Sequence, residues 1–102
     1  MNYDQIVYDE IRSHAQSNKS VEVCGIIKDN KIIRCENLSP CPEDHFSINP
    51  IDILTYEPDC IYHSHPKTSS SPSQLDRISQ EESDIPYLIY SVIDDDFYFL
   101  KK

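Results

Sequence analysis

The sequence lacks the long apolar runs that would place it across a membrane, and its first residues are not those expected of a secretory leader. Its longest apolar runs are only a few residues, whereas a membrane-spanning helix needs about 20. The first residues include Asp4, Asp9 and Glu10 and have neither the basic nor the apolar region of a secretory signal peptide. We therefore expect a cytoplasmic protein with no membrane partner.

Positive charge is also scarce. Nine lysines and arginines face eighteen aspartates and glutamates, and the formal net charge is -9 at pH 7. Proteins that bind a phosphate backbone need a basic patch or stripe, and no such cluster is present. We therefore expect no nucleic-acid partner.

Glycine and paired cysteines are rare as well. Gly25 is the only glycine in 102 residues, and a lone glycine in a strand indicates a bulge, a close backbone approach or simple tight packing. None of the four cysteines forms a CxxC pair. Without a secretion signal, reduced thiols are the expected state.

The length of 102 residues predicts a single domain over residues 1–102, and hydrophobic periodicity predicts its helices and strands. Val7, Ile11 and Ala15 recur at four-residue spacing and predict a helix with one face on the core. Asp29 and Asn30 tolerate the positive φ of a tight turn and predict a hairpin. The predicted elements are a helix over 2–17, strands over 21–27 and 32–35, a loop over 37–44, a short strand over 46–48, a helical turn over 52–56, a strand over 61–65, a helix over 73–82 and strands over 86–92 and 97–100.

The segment His63-Ser64-His65-Pro66 carries the clearest chemical signal. Strand side chains alternate, so both imidazoles lie on one face with Cα atoms roughly 6.5–7 Å apart, and they are able to converge on one ion. Asp76, near the start of the next predicted helix, is placed to reach the same ion. Two imidazoles and one carboxylate leave zinc a fourth position for water, the open arrangement of a catalytic site.

Each part of this predicted site also has a purely structural explanation. Ser73 and Asp76 have the spacing of a capping box, and histidines in strands also occupy hydrogen-bonded or exposed places. Cys60 would offer a thiolate near His63, but strand alternation sends it to the opposite face. The predicted helix is expected to turn Leu75 and Ile78 toward the core.

Taken together, these residues resemble the JAB/MPN family of zinc metalloenzymes and its JAMM motif. The matching features are Glu22-x-Cys24-Gly25, the HSHP segment and, six residues later, Ser73-x-x-Asp76. The resemblance covers nearly the whole chain. It implies a minimal MPN fold of the cytidine deaminase-like class, which is α+β with a curved mixed sheet flanked by helices.

Carried over residue by residue, the resemblance implies a catalytic zinc site. His63, His65 and Asp76 would bind Zn²⁺. Glu22 would hold the metal-bound water and remove its proton, and Ser73 would stabilise the oxyanion. These roles agree with the chemistry of zinc hydrolases, in which the metal lowers the pKa of bound water toward ~7 and a carboxylate relays the proton.

Within the family the chain is most similar to the short bacterial and phage branch, which includes N-terminal domains of lambda-like tail-assembly proteins. The shared features are Asn37-x-x-x-x-Pro42, an aromatic residue at Phe46 and a Tyr-x-x-Tyr-Ser stretch ending at Ser91. The resemblance implies phage tail proteins or an NlpC/P60 peptidase as partners, and the host cytoplasm as the location of a phage-encoded chain.

Two functions compete at this point. The first is a zinc-dependent metallopeptidase or isopeptidase that hydrolyses a peptide or a ubiquitin-like C-terminal tail in phage tail assembly. The second is a non-catalytic tail-assembly or scaffolding component with the same fold. The intact set of five site residues favours the enzyme. An extended tail laid along a strand edge suits a domain without insertions, and the net charge of -9 favours neutral or basic tails.

Overall fold

The structure is a computed structural model that describes residues 3–101. It contains three helices and five strands in this part of the chain. In order these are α1 (Gln5–Ser17), β1 (Cys24–Lys28), β2 (Lys31–Cys35), α2 (Pro50–Tyr56), β3 (Cys60–His65), α3 (Gln74–Ser83), β4 (Tyr87–Ser91) and β5 (Asp96–Leu100). None of the helices among these residues has the length and apolar character needed to cross a membrane.

The five strands form one mixed sheet in the order β2-β1-β3-β4-β5. The two hairpins, β1 with β2 and β4 with β5, are antiparallel, and β1 also pairs antiparallel with β3. Only β3 and β4 run parallel, with α3 as the crossover between them. The expected mixed sheet of an α+β fold is therefore confirmed, and β3 occupies its centre.

The first hairpin forms at the predicted turn and surrounds the single glycine. Asp29 and Asn30 both have positive φ, 51° and 62°, as a two-residue hairpin turn requires. Gly25 pairs in regular register with Arg34 on one side and Tyr62 on the other. A Cβ atom at Gly25 would collide with the Tyr62 ring and with the backbone of Ile33. Glycine is needed there because of this close approach.

The two faces of the sheet bury different groups. One face packs against α1 and forms a hydrophobic core that includes two buried tyrosines. Its buried members are Val7, Ile11, Ala15, Val23, Ile27, Cys60, Tyr62, Leu88 and Tyr90. The other face has a smaller apolar cluster, in which Ile61, Tyr87, Ile89 and Leu100 are joined by Phe46, Ile48, Ile53 and Ile85.

Two of the predicted strands differ from the structure. Residues 46–48 are not a strand, since Ser47 donates its backbone N–H to the Asn37 side chain instead of a ladder partner. The first strand begins at Cys24 and not at Val21, because Glu22 and Val23 already bond to a loop and to a serine side chain. Asn2, the predicted helix start, lies outside the described residues.

The orientation of α3 also differs from the prediction. Leu75 and Ile78 are exposed, 46% and 47%, and the residues that α3 buries are Asp76 and Gln80. Asp76 and Gln80 are four residues apart and therefore lie on one face of the helix. This face turns toward the sheet because Asp76 meets the two histidines and Gln80 donates to the carbonyl oxygen of Ile85.

Candidate metal centre

The carboxyl-terminal half of β3 and the first turn of α3 bring the three predicted ligands together. His63 and His65 lie on the same face of β3 because strand side chains alternate. The ligand atoms of His63, His65 and Asp76 all lie within 4.8 Å of one another, and all three residues are buried. Residues 3–101 contain one such group of metal-binding side chains.

His65 is held by contacts on both sides of its ring. Its Nδ1 donates to the carbonyl oxygen of Ser69 at 2.7 Å, and its Nε2 lies 3.0 Å from Oδ2 of Asp76. In a neutral ring the proton is therefore on Nδ1, and Nε2 is an acceptor that faces another acceptor, Oδ2 of Asp76. A proton or a cation between these two atoms would remove the repulsion. Burial alone would lower the pKa of His65, but the bonds to Asp76 and Ser69 raise it.

His63 is fully buried, and neither ring nitrogen has a hydrogen-bond partner among the described residues. Its Nε2 lies 3.1 Å from Oδ1 of Asp76 but without hydrogen-bond geometry. The ring stacks on Phe46 at a centroid distance of 4.3 Å and an interplanar angle of 21°. Burial lowers the pKa of His63, which keeps the imidazole neutral at pH 7. Burying an imidazole without a hydrogen-bond partner costs free energy, and a metal ion bound to one of its nitrogens would offset that cost.

Asp76 serves the helix and the histidines at once. Its backbone N–H donates to Oγ of Ser73 at 3.0 Å, and its Oδ2 accepts from the Ser73 N–H at 3.0 Å, which completes a capping box. Burial would raise the pKa of Asp76, but the nearby imidazoles of His63 and His65 hold it far below the ordinary range. Asp76 therefore belongs both to the capping box of α3 and to the group of metal-binding side chains. A capping role and a metal-binding role for this residue do not exclude each other.

The donor set fits a divalent zinc ion. Two neutral imidazoles and an ionised carboxylate are common zinc ligands, and three protein ligands leave one position open. The Nδ1 bond from His65 to a backbone carbonyl is the outer contact that orients metal-binding histidines. The unsatisfied nitrogens of His63 point to the same conclusion. Cys60 belongs to the α1 face of the sheet, as strand alternation predicts, and is not part of this group.

Glu22 lies just before β1 and is 5% exposed. Its N–H donates to the carbonyl oxygen of Pro42 at 2.7 Å, and its carbonyl oxygen accepts from Nδ2 of Asn37 at 2.8 Å. Burial raises the pKa of Glu22 to about 8; the charge on Asp76 adds to this rise and His65 opposes it. A buried carboxyl group with a raised pKa on a cleft wall is a candidate for proton transfer.

Ser73, the remaining predicted site residue, lies on the wall of a cleft of about 380 Å³ that His65 also lines. Glu22, His65 and Ser73 all line it. The other lining residues come from two flanking loops and are polar or charged except for one proline; they are Glu43, Asp44, Pro66, Lys67, Thr68, Ser69 and Ser71. The structure thus places Glu22 and Ser73 on the wall of the same cleft that reaches the metal-binding group.

Sequence reasoning assigned no chemistry to two residues that build this centre. Ser64, fully buried between the histidines, accepts the N–H of Val23 at 2.9 Å and so docks the chain next to Glu22. Phe46 forms the stacking wall of His63. The alternation that predicts both histidines on one face also predicts Ser64 on the other, but the identity of its partner depends on the pairing of β1 with β3.

Comparison with known sequences connects this geometry to a family. Residues 4–100 match the family model of prokaryotic homologs of the JAB domain. The tail tip assembly protein K of Escherichia phage N15 is 32% identical in an alignment that covers 85% of this chain. The chain spans 39% of the length of that protein.

Two solved structures share the fold at low sequence identity. Protein DSY2949 from Desulfitobacterium hafniense superimposes with a TM-score of 0.72 at 24% identity, covering 93% of this chain and 77% of that one. A protein from Salinibacter ruber gives a TM-score of 0.57 at 17% identity, covering 100% and 88%. At these identities the likeness concerns the fold alone.

Proposed function

The chain belongs to the family of prokaryotic homologs of the JAB domain, and we propose that it is a zinc-dependent peptidase or isopeptidase. The proposed substrate is an extended peptide or a ubiquitin-like C-terminal tail. One observation carries the proposal: His65, a member of the three-residue metal-binding group, lines the same cleft as a protonatable carboxyl group, Glu22, and a hydroxyl group, Ser73. We further propose that residues 1–102 act as one catalytic domain.

In this proposal His63, His65 and Asp76 hold the metal. Bound Zn²⁺ would polarise a carbonyl oxygen and acidify a water molecule toward a pKa of ~7. Glu22 takes a proton from the attacking water and delivers it to the leaving amine. Its place on the wall of the cleft next to His65 puts the carboxyl group beside the metal-binding group. The burial of Glu22 keeps this carboxyl group out of bulk solvent.

Ser73 is proposed to stabilise the developing oxyanion. Its Oγ accepts the N–H of Asp76 and so caps α3, while its own hydroxyl proton has no acceptor among the described residues. A hydroxyl oxygen accepts and donates at the same time, so the cap and the oxyanion contact are compatible. Ser73 is exposed on the cleft wall, where a substrate carbonyl would enter.

The proposed setting is the assembly of a phage tail. The relative with 32% identity is a tail tip assembly protein, which supports phage tail proteins as partners and the host cytoplasm as the location. An NlpC/P60 peptidase is the further partner that we propose. The cleft walls carry Glu43, Asp44 and one lysine, Lys67, which favours a neutral or basic tail.

The test combines metal analysis with cleavage. The purified protein is expected to hold about one zinc per chain and to cut members of a library of extended tails, read by mass spectrometry. Glu22→Gln is the matched blank, since it keeps the size of the side chain and all three ligands but cannot accept the proton. We expect its rate to fall by about 10²–10⁴. Equal cleavage by this variant would refute the assigned base.

A second candidate function follows from the same relative. A chain that retains the fold without hydrolysis would act as a scaffolding component of the tail, as the name of the phage N15 protein allows. This alternative predicts zinc bound at the centre, no cleavage of any tail and unchanged tail assembly when Glu22→Gln replaces the parent in a phage. The peptidase proposal predicts that this substitution blocks assembly.

A further inference from the structure

Asn37 connects the two sides of the candidate site, and neither the proposed mechanism nor the metal group assigns it a role. We propose that Asn37 is a positioning residue that holds Glu22 at the cleft and Phe46 against His63. The expected effect of Asn37 on hydrolysis rests on the proposed function. Its effect on the positions of Glu22 and Phe46 does not depend on any reaction. It starts from four hydrogen bonds made by one side-chain amide.

The amide of Asn37 uses all of its hydrogen-bonding capacity. Nδ2 donates to the carbonyl oxygens of Glu22 at 2.8 Å and His45 at 2.9 Å. Oδ1 accepts from the backbone N–H groups of Ser39 at 3.0 Å and Ser47 at 3.1 Å. Both groups facing Nδ2 are acceptors and both facing Oδ1 are donors, so the amide has only one satisfactory orientation.

The bond to Glu22 matters because the Glu22 side chain has no other anchor. Its carboxylate makes no hydrogen bond with any of the described residues, so its direction follows from its backbone. That backbone is tied to the loop twice, through its N–H to Pro42 and through its carbonyl oxygen to Asn37. Ser64 also holds the next residue, Val23, so loss of the Asn37 bond would release only the Glu22 carbonyl group and shift the peptide that carries the side chain.

The bonds to His45 and Ser47 bracket Phe46. These two residues flank Phe46 in sequence, and residues 36–49 contain no helix or strand that would hold the ring in place. One further backbone bond, from Leu38 N–H to the Ser47 carbonyl oxygen at 2.9 Å, closes this loop. Asn37 is therefore the hub on which both the position of Glu22 and the stacking of Phe46 on His63 depend.

The experiment must separate positioning from simple loop stability. Asn37→Asp keeps an oxygen for Ser39 and Ser47 but sets the other carboxylate oxygen against the carbonyls of Glu22 and His45, so it breaks only the connection to the site. Asn37→Ala removes all four bonds. Asn49→Ala is the matched control, because Asn49 caps α2 through Ile51 and has no bond to the site.

The readout is NMR of the metal-free protein, which requires no substrate. In both Asn37 variants we expect the ring protons of His63 to lose the upfield shift caused by stacking on Phe46, whereas Asn49→Ala keeps it. With metal restored, hydrolysis by the Asn37 variants should fall by about 10²-fold, the loss that a displacement of ~1 Å causes. Unchanged His63 ring shifts in both variants would overturn the inference.

A measurement on the parent protein decides the matter even if the variants do not fold. The Nδ2 protons of Asn37 should exchange with solvent several times more slowly than those of Asn49, whose Nδ2 makes no hydrogen bond with the described residues. Equal exchange would overturn the inference. If the parent shows protected Asn37 protons but no hydrolysis, the positioning role stands and the peptidase proposal fails.

Discussion

The two faces of β3 differ in what burial does to the side chains that they carry. On the α1 face, Cys60 and Tyr62 are fully buried in an apolar core. On the opposite face, His63 and His65 are also buried, but next to a carboxylate and with two ring nitrogens unsatisfied. One side of the strand thus stabilises the fold through apolar contacts, whereas the other side buries polar groups that lack hydrogen-bond partners.

The difference shows how a small domain separates stability from chemistry. Burying an apolar side chain stabilises the fold, whereas burying an imidazole without a partner costs free energy unless a ligand satisfies it. A metal ion that binds only the folded state would recover that cost as added stability. Substitutions on the two faces should therefore have separable effects, on metal affinity at one face and on folding at the other.

The largest effect is expected from a change on the polar face. His63→Ala should abolish stoichiometric zinc binding, because two ligands remain where three are needed for a tight site. Cys60→Ala, on the same strand but the α1 face, should keep the metal. Zinc per chain is measured after gel filtration. Retention of zinc by the histidine variant at the level of the parent would show that the ligand assignment is wrong.

The α1 face is tested by Ile11→Ala. Ile11 is 0% exposed in the apolar core, and its truncation should lower the free energy of unfolding by about 2–5 kcal/mol. Ile78→Ala, on an exposed face of α3, is the control and should change it by no more than ~0.5 kcal/mol. Denaturant unfolding gives both values. A folded Ile11 variant that also lost its zinc would mean that the two faces are coupled.

The burial of Glu22 should make the stability of the metal-free protein depend on pH. Its folded pKa of about 8 lies above the ordinary value, so the folded state favours the protonated form, and that advantage is lost as the pH rises from about 4 to 8. Metal-free Glu22→Gln should therefore match the parent near pH 4 and exceed its unfolding free energy by about 2–4 kcal/mol at pH 8. A stability difference that does not change with pH would contradict the shift.

Ser73 should have the smallest effect on stability. Ser73→Ala removes the side-chain cap of α3 and should cost about 1 kcal/mol. Ser73→Gly should cost only a few tenths, yet both variants lack the hydroxyl and should lose up to ~10²–10³ in hydrolysis rate. Calorimetry and the tail assay are run on the same samples. Rates that follow stability instead of the hydroxyl group would leave Ser73 as a helix cap alone.

Local patterns predicted the parts of this protein that depend on neighbouring residues. The turn at Asp29 and Asn30, the face of α1 and the placement of both histidines on one side of a strand all follow from backbone preferences and side-chain periodicity. The orientation of α3 could not be predicted in this way. Its apolar residues suggested one buried face, but contacts with His63 and His65 turned the face of Asp76 inward.

The sequence by itself therefore determined most of the helices and strands and the placement of both histidines on one face of β3, because these follow from local spacing. The roles expected of Glu22 and Ser73 came from the resemblance to the JAB/MPN family. Only the tertiary structure decided that Asp76 reaches both imidazoles, that Glu22 is buried with a raised pKa and that Asn37 connects it to Phe46. Asp76 lies 11 positions from His65 and Asn37 lies 15 positions from Glu22, and the raised pKa of Glu22 depends on desolvation. These features arise only when strand order and packing bring distant segments together and exclude water between them.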